Sequence, residues 1–225
     1  MEDRTVYTIR RLSDLELTVD VDSMKKARSL EDVLDEIGMG FFQYRLLAIC
    51  GLAFMADSME INLLGYLSQC AGQSFDLDNA KKASISGVVF VGQLFGSLLW
   101  GRIGDRYGRR AAFLMSASTT SLFGFLTGIS PNYMSLLIFR LACGIGIGGV
   151  IIPFDIIAEF MPVSYRGQFL VLIEYFWTLG SILVAGLAWA LLSSSSWRVL
   201  AVLTAFPVTL SLLLGVFCLP ESVRW

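Results

Sequence analysis

The chain has 225 residues, 55% of them apolar and only 16% charged, with a formal net charge of −2. That composition is too hydrophobic for a soluble domain of this length and places the chain in the membrane class. It contains no histidine, which removes the commonest metal ligand and the usual neutral-pH acid–base group, so metal-dependent or hydrolytic catalysis is disfavoured and no metal or cofactor is expected. Charge is also unevenly spread: of the 36 charged residues, 17 fall in the first 45 positions.

Residues 1–28 mix acids, bases and isolated apolar positions without sustained periodicity, and are expected to form a disordered cytoplasmic tail. Ser29 then stands ready to cap a short amphipathic helix within 29–40, with Leu30, Val33, Leu34 and Ile37 on one face and Glu31, Asp32, Asp35 and Glu36 opposite. Gly38 and Gly40 end it. From residue 41 onward six apolar runs are long enough to cross a hydrocarbon core about 30 Å thick: Tyr44–Leu67, Ser84–Trp100, Ala111–Ile129, Tyr133–Met161, Gly167–Leu192 and Val199–Leu219. The first follows some forty polar residues with no small-residue cleavage pattern, so it is expected to be a span and not a removed leader.

Short connections force antiparallel neighbours, so the expected fold is an all-α membrane protein, a compact six-transmembrane-helix bundle over residues 41–225. The segments holding Arg102, Arg106, Arg109, Arg110 and Arg166 share one side with the basic tail, leaving Lys81, Lys82 and Arg198 opposite. Both termini are therefore expected to be cytoplasmic. Cys50, Cys70, Cys143 and Cys218 have no metal-ligand spacing and read as packing residues.

Two motifs stand out. Between the second and third spans lies Gly101-Arg-Ile-Gly-Asp105-Arg106-Tyr-Gly108-Arg109-Arg110, where the glycines allow a tight hairpin, Asp105 can accept N–H groups at a helix start, and the arginines suit lipid phosphates. The fourth span carries Arg140-Leu-Ala-Cys-Gly144-Ile-Gly146-Ile-Gly148-Gly149. Gly144, Gly146 and Gly149 satisfy a dinucleotide fingerprint, but they sit inside an apolar helix and not at a strand-to-helix turn. Close helix packing explains them better: Gly144 and Gly148 share a face, as do Gly92 and Gly96 in the second span. No nucleic acid is expected as a partner.

The inner loop resembles the signature loop of the major facilitator superfamily, and Arg140 with its glycines resembles that superfamily's fourth-helix motif. Pro153–Gly167 and Pro220-Glu221-Ser222-Val223-Arg224 are similar to the sugar-porter and organic-ion branches. Ser29-Leu-Glu-Asp-Val, Phe42-Gln43-Tyr44, Met55-Ala56-Asp57-Ser-Met-Glu60, Ile173-Glu174-Tyr-Phe176-Trp177 and Ser196-Trp197-Arg198 most resemble the synaptic vesicle two-related (SVOP) branch and its vesicle glycoprotein relatives. The resemblance implies the N-terminal half of a twelve-helix fold, with substrate bound between halves near the bilayer midplane. A lone half would lack one wall of that site. Val223 replaces a proline common in the family's inner motif.

Charges inside spans are costly, about 3 kcal/mol each on insertion scales, so Asp57, Glu60, Arg140, Asp155 and Glu174 draw attention. Helix rise places Asp57 roughly 15 Å below the outer end of the first run and Arg140 roughly 13 Å below that of the fourth, so the two can meet. The resemblance implies the same pairing, by analogy with proton-coupled porters. The arginine favours the ionised carboxyl and burial the neutral one, so proton affinity can change with conformation; a permanent structural bridge is the alternative. Glu60, nearly on the same face, can share the proton.

Glu174 matches a sugar-binding glutamine position of the sugar porters, so a glutamate here argues for a cationic or proton-coupled ligand, while Trp177 either stacks on that ligand or only packs the bundle. The resemblance assigns Asp105, Arg109, Glu159, Arg166, Glu221 and Arg224 to an inner charge network that latches an outward-open state, with plain surface tethering the other reading.

The function expected is transmembrane movement of a small organic, ionic solute by alternating access, with symport of a proton an option and no covalent chemistry. The partners expected are the lipid bilayer, the solute, and a missing C-terminal half or a second copy. The alternative is a truncated, non-transporting membrane protein that binds a ligand or modulates a full-length carrier. Plasma and vesicle membranes are equally compatible with the sequence.

Overall fold

The computed structural model describes residues 6–10, 16–20, 30–193 and 196–222. In the tail, where the sequence suggested no structure, β1 (Val6–Arg10) pairs antiparallel with β2 (Glu16–Asp20), with Tyr7 opposite Val19 and Ile9 opposite Leu17. Two five-residue alternations are too short to register as periodicity, which is why the pair was not legible. The amphipathic helix is present as α1 (Leu30–Ile37); it stops where Gly38 adopts φ +70° and returns its N–H to the Leu34 carbonyl at 3.0 Å. Its expected cap, Ser29, lies outside the described residues.

Six helical stretches among the described residues are long and apolar enough to cross a membrane. They are α2 (Phe41–Ser74), α3 (Asn79–Tyr107), α4 (Arg109–Gly128), the pair α5 (Tyr133–Ile147) and α6 (Ile152–Phe160), α7 (Val163–Leu191), and the pair α8 (Trp197–Thr204) and α9 (Phe206–Cys218). The membrane part is thus an all-helical six-span bundle, as expected. The fourth and sixth spans, expected to be continuous, are each interrupted. Pro153 and Pro207 sit in the first turns of α6 and α9, where the missing N–H costs nothing, and each helix restarts there. The connection between the first two spans is also shorter than its polarity suggested: α2 continues through Ser68, Gln69 and Gln73 beyond the apolar run, and Asp78 accepts the Lys81 N–H at 3.0 Å to start α3.

Glycine contacts set the spacing between spans. A side chain on Gly92 or Gly96 of α3 would run into the backbone of Leu141 to Ile145 on α5, and one on Gly144 or Gly148 would meet the backbone of Val89 or of Gly96 and Ser97. The small-residue faces expected in the second and fourth spans therefore face each other. Trp100 Nε1 reinforces the seam by donating to the Ile145 carbonyl at 2.6 Å. Gly180 brings α7 equally close to Met55 of α2. As a result α2 is the most enclosed span, with 67% of its apolar window buried, whereas α7 leaves most of its surface open at 17%.

Both ends are tied by polar contacts. At the end of the bundle that carries Ser74, the Ser84 and Tyr133 hydroxyls lie 2.5 Å apart, Trp197 Nε1 donates to Ser74 at 3.0 Å, and Arg198 caps α4 through the Ser130 and Gly128 carbonyls. At the opposite end Arg45 reaches the Cys218 carbonyl and Ser164 donates to Asp35, which docks α1 on the start of α7.

Candidate functional site: a buried ion pair beside an unpartnered acid

The bundle centre holds a guanidinium and a carboxylate, both with no solvent exposure. Arg140 of α5 donates to Glu60 Oε2 of α2 through Nη1 at 2.9 Å and also through Nη2. Glu60 Oε1 accepts the Thr204 hydroxyl of α8 at 2.9 Å, and Arg140 Nε reaches Thr127 Oγ1 of α4 at 3.4 Å. The Cys143 thiol lies 3.7 Å from Glu60 Oε2. Charges removed from water this completely persist only when paired and hydrogen-bonded, and four spans contribute to meeting that demand.

This corrects the expected Asp57–Arg140 pairing. Arg140 meets Glu60, one turn nearer the Ser74 end of α2, because α2 extends past its apolar run to Ser74 and the hydroxyls of Thr127 and Thr204 complete the shell at that level. Asp57 is buried lower down, lining a small cleft with Ser116 and Thr120 of α4, Gly146 and Gly149 of the fourth span, and Pro153 of α6. Among the described residues no hydrogen bond or ion pair reaches its carboxylate. The three sequence candidates Asp57, Glu60 and Arg140 thus lie in one neighbourhood, but as a committed pair and a free acid. Nothing in the sequence pointed to Thr127, Thr204 or Cys143 as members of the shell.

Glu174 is exposed on α7. Trp177, half-buried one turn on, packs its ring 5.0 Å from that of Phe54, which meets Phe154 edge-on at 4.9 Å. Beside them Ser58 donates to the Trp177 carbonyl at 2.7 Å and lies 2.9 Å from the Ser181 hydroxyl. Asn62 Nδ2 donates to the Ser58 carbonyl at 2.8 Å and to Ser181 Oγ at 3.1 Å. Sequence reasoning did not single out Ser58, Asn62 or Ser181, since uncharged polar residues in a span carry little signal.

At the end of the bundle opposite Ser74, Arg109 gathers three carboxylates: Asp105 at 3.5 Å, Asp155 at 3.3 Å and Glu159 at 3.5 Å. Asp155, expected only as a charge within a span, belongs here. Asp105 was expected to hold N–H groups at a helix start, but it lies in the last turn of α3; Gly108 at φ +93° makes the corner, and Glu221 accepts the Arg110 N–H at 3.2 Å at the start of α4. Glu159 in turn accepts the Ser222 hydroxyl, which joins the Glu221 segment to the cluster. Arg166 sits half-buried near the start of α7. Arg224 lies outside the described residues.

This architecture is that of one half of a major facilitator superfamily carrier. The chain superposes on the proton:xylose symporter XylE from E. coli, bound to 6-bromo-6-deoxy-D-glucose, with a TM-score of 0.74 at 19% identity over 82% of this chain and 46% of that one. The chain belongs to the sugar (and other) transporter family, whose profile matches residues 43–225. It is similar to the synaptic vesicle 2-related protein of Bos taurus, 39% identical over 198 residues covering 87% of this chain and 36% of that protein. It is also similar to organic cation/carnitine transporter 7 of Arabidopsis thaliana, 36% identical over 185 residues covering 82% and 37% respectively. The chain thus spans little more than a third of the length of these curated relatives.

Proposed function

We propose that this chain is the N-terminal half of a carrier that moves a small organic, ionic solute across a membrane by alternating access, with Asp57 as the proton-responsive group. The observation that carries this reading is the free acid lining a cleft beside a fully committed ion pair. Arg140, Glu60 and an ionised Asp57 sum to one negative charge; a proton on Asp57 makes the cluster neutral. A neutral cluster crosses a closed, dry state at much lower cost than a charged one, which ties solute movement to the proton. Glu60 and Arg140 set the field at Asp57, Glu174 and Trp177 contact the solute, and Asp105, Arg109, Glu159, Arg166, Glu221 and Arg224 latch the inner end. Both termini lie in the cytoplasm, and a C-terminal half or a second copy supplies the other wall. The names of the relatives support solute transport as the class.

The test is uptake into proteoliposomes containing this chain with a completing six-span half, using carnitine and D-xylose as probes. An inward proton gradient should raise uptake of the favoured probe about tenfold in the wild type. Asp57→Asn should abolish the stimulation at matched amounts of folded protein. Uptake of neither probe under any gradient would favour the non-transporting reading.

A further inference from the structure

The cleft beside Asp57 is walled by oxygen atoms that have lone pairs to offer and no hydrogens to spare. Asp57 is only 7% exposed, and its polar neighbours in the lining, Ser116 and Thr120, are buried further at 6% and 2%. Those two stand one turn apart on α4, so both serve the same wall. The Ser116 hydroxyl donates to the Phe113 carbonyl at 3.0 Å, and the Thr120 hydroxyl donates to the Ser116 carbonyl at 3.1 Å. Each has spent its only hydrogen inside α4, and neither bonds to Asp57. Among the described residues no other polar side chain lines the cleft. Glycine keeps the oxygens uncovered. A Cβ on Gly149 would stand 2.7 Å from Ser116 Oγ, and one on Gly146 would stand 2.6 Å from the Thr120 nitrogen and closer still to its hydroxyl oxygen.

We infer that this cleft is a binding site for a small monovalent metal cation, sodium, with Asp57 supplying the charge and Ser116 and Thr120 the neutral oxygens. Three observations select the ion. The polar lining is all oxygen, without nitrogen or sulfur, which suits a hard cation and not a transition metal. Charge balance asks for a single positive charge: Arg140 is committed to Glu60, so an ionised Asp57 leaves the cluster one charge short of neutral. A divalent ion would overshoot in a dry bundle, and calcium would seek about six to eight oxygens, more than one carboxylate and two hydroxyls offer. The free space is that of about one water molecule, enough for a bare sodium ion and too little for an organic ammonium. The inference rests on the reading of Asp57 as the ion-responsive group and adds a second ion for it, because sodium neutralises the cluster as a proton does.

The test is binding of radioactive sodium ion to the purified full chain in detergent, in an alkaline choline buffer that keeps Asp57 ionised and supplies a cation too large for the cleft. Wild type should bind sodium saturably, with displacement by unlabelled sodium or lithium and none by further choline. Asp57→Asn should remove the binding, while Ser116→Ala and Thr120→Val, which keep the carboxylate, should each weaken it about fivefold or more. All variants are compared at equal amounts of monodisperse protein, and Ser116→Ala decides alone if Thr120→Val does not fold. The hydroxyl variants carry the argument, since a bare carboxylate gathering counterions would not respond to them. Absence of saturable binding in wild type, or binding that survives Asp57→Asn, would overturn the inference. Binding lost in Asp57→Asn but unchanged in both hydroxyl variants would mean an adventitious ion only, and would overturn it as well. If wild type binds no sodium while proton-stimulated uptake still depends on Asp57, this inference fails and the proton reading stands. Sodium bound at Asp57 and its hydroxyls without any proton stimulation would uphold the site and remove the proton reading.

Discussion

Arg140→Leu is expected to destabilise the bundle by about 3–5 kcal/mol, because it leaves Glu60 as an uncompensated charge with no access to water. The loss should be larger than that of any single apolar contact nearby, since only the Thr204 hydroxyl and the weak Cys143 thiol would remain to hold the carboxylate. The paired change Glu60→Leu with Arg140→Leu should recover most of that stability. A matched apolar pair carries no desolvation penalty, and Thr204 keeps its second bond to the Ala201 carbonyl at 2.9 Å. Thermal unfolding of the purified variants in detergent is the measurement. A single variant as stable as wild type would mean that the charge is neutralised in another way, and a double variant no better than the single would mean that the pair is needed for folding beyond its charge balance.

The second large effect is expected at Gly96. A Cβ there would stand 2.9 Å from the Ile145 carbonyl carbon and closer still to its oxygen, and both are backbone, so no rotamer change relieves the clash. Gly96→Leu should therefore push α3 from α5, break the Trp100 to Ile145 hydrogen bond and remove most monodisperse protein, a cost of at least about 3 kcal/mol. Gly87→Leu is the internal control: it lies on the same helix with nothing within 4 Å of its Cβ position, and should be tolerated. Size-exclusion profiles of the two variants side by side decide the matter, and equal yields would contradict the packing account.

The six spans were legible in the sequence because each satisfies the bilayer on its own, through length and apolarity alone. The glycine faces were legible too, since Gly92 with Gly96 and Gly144 with Gly148 repeat at one helical turn. The partner of Arg140 was not. Counting residues from the ends of apolar runs assumes that helices stop where apolarity does, yet α2 runs on through Ser68 and Gln73 to Ser74, and partners are set by packing. The breaks before α6 and α9 were hidden because the surrounding runs stay apolar through Pro153 and Pro207. In the network around Arg109 residue types were readable but roles were not: Glu221, distant in sequence, takes the helix start that Asp105 seemed placed to take.

The most direct test of the central claim, that Arg140 is committed to Glu60 while Asp57 is free to exchange a proton, is the infrared difference spectrum between acid and alkaline buffer for the protein in lipid. Protonated carboxyls give a resolved C=O stretching band that needs no solute. The component contributed by a buried carboxyl, distinct from those of the exposed acids, should be present in wild type, disappear in Asp57→Asn, and persist in the paired Glu60→Leu, Arg140→Leu variant. A band untouched by Asp57→Asn but lost with Glu60 would contradict the account and place the exchangeable proton on the ion pair.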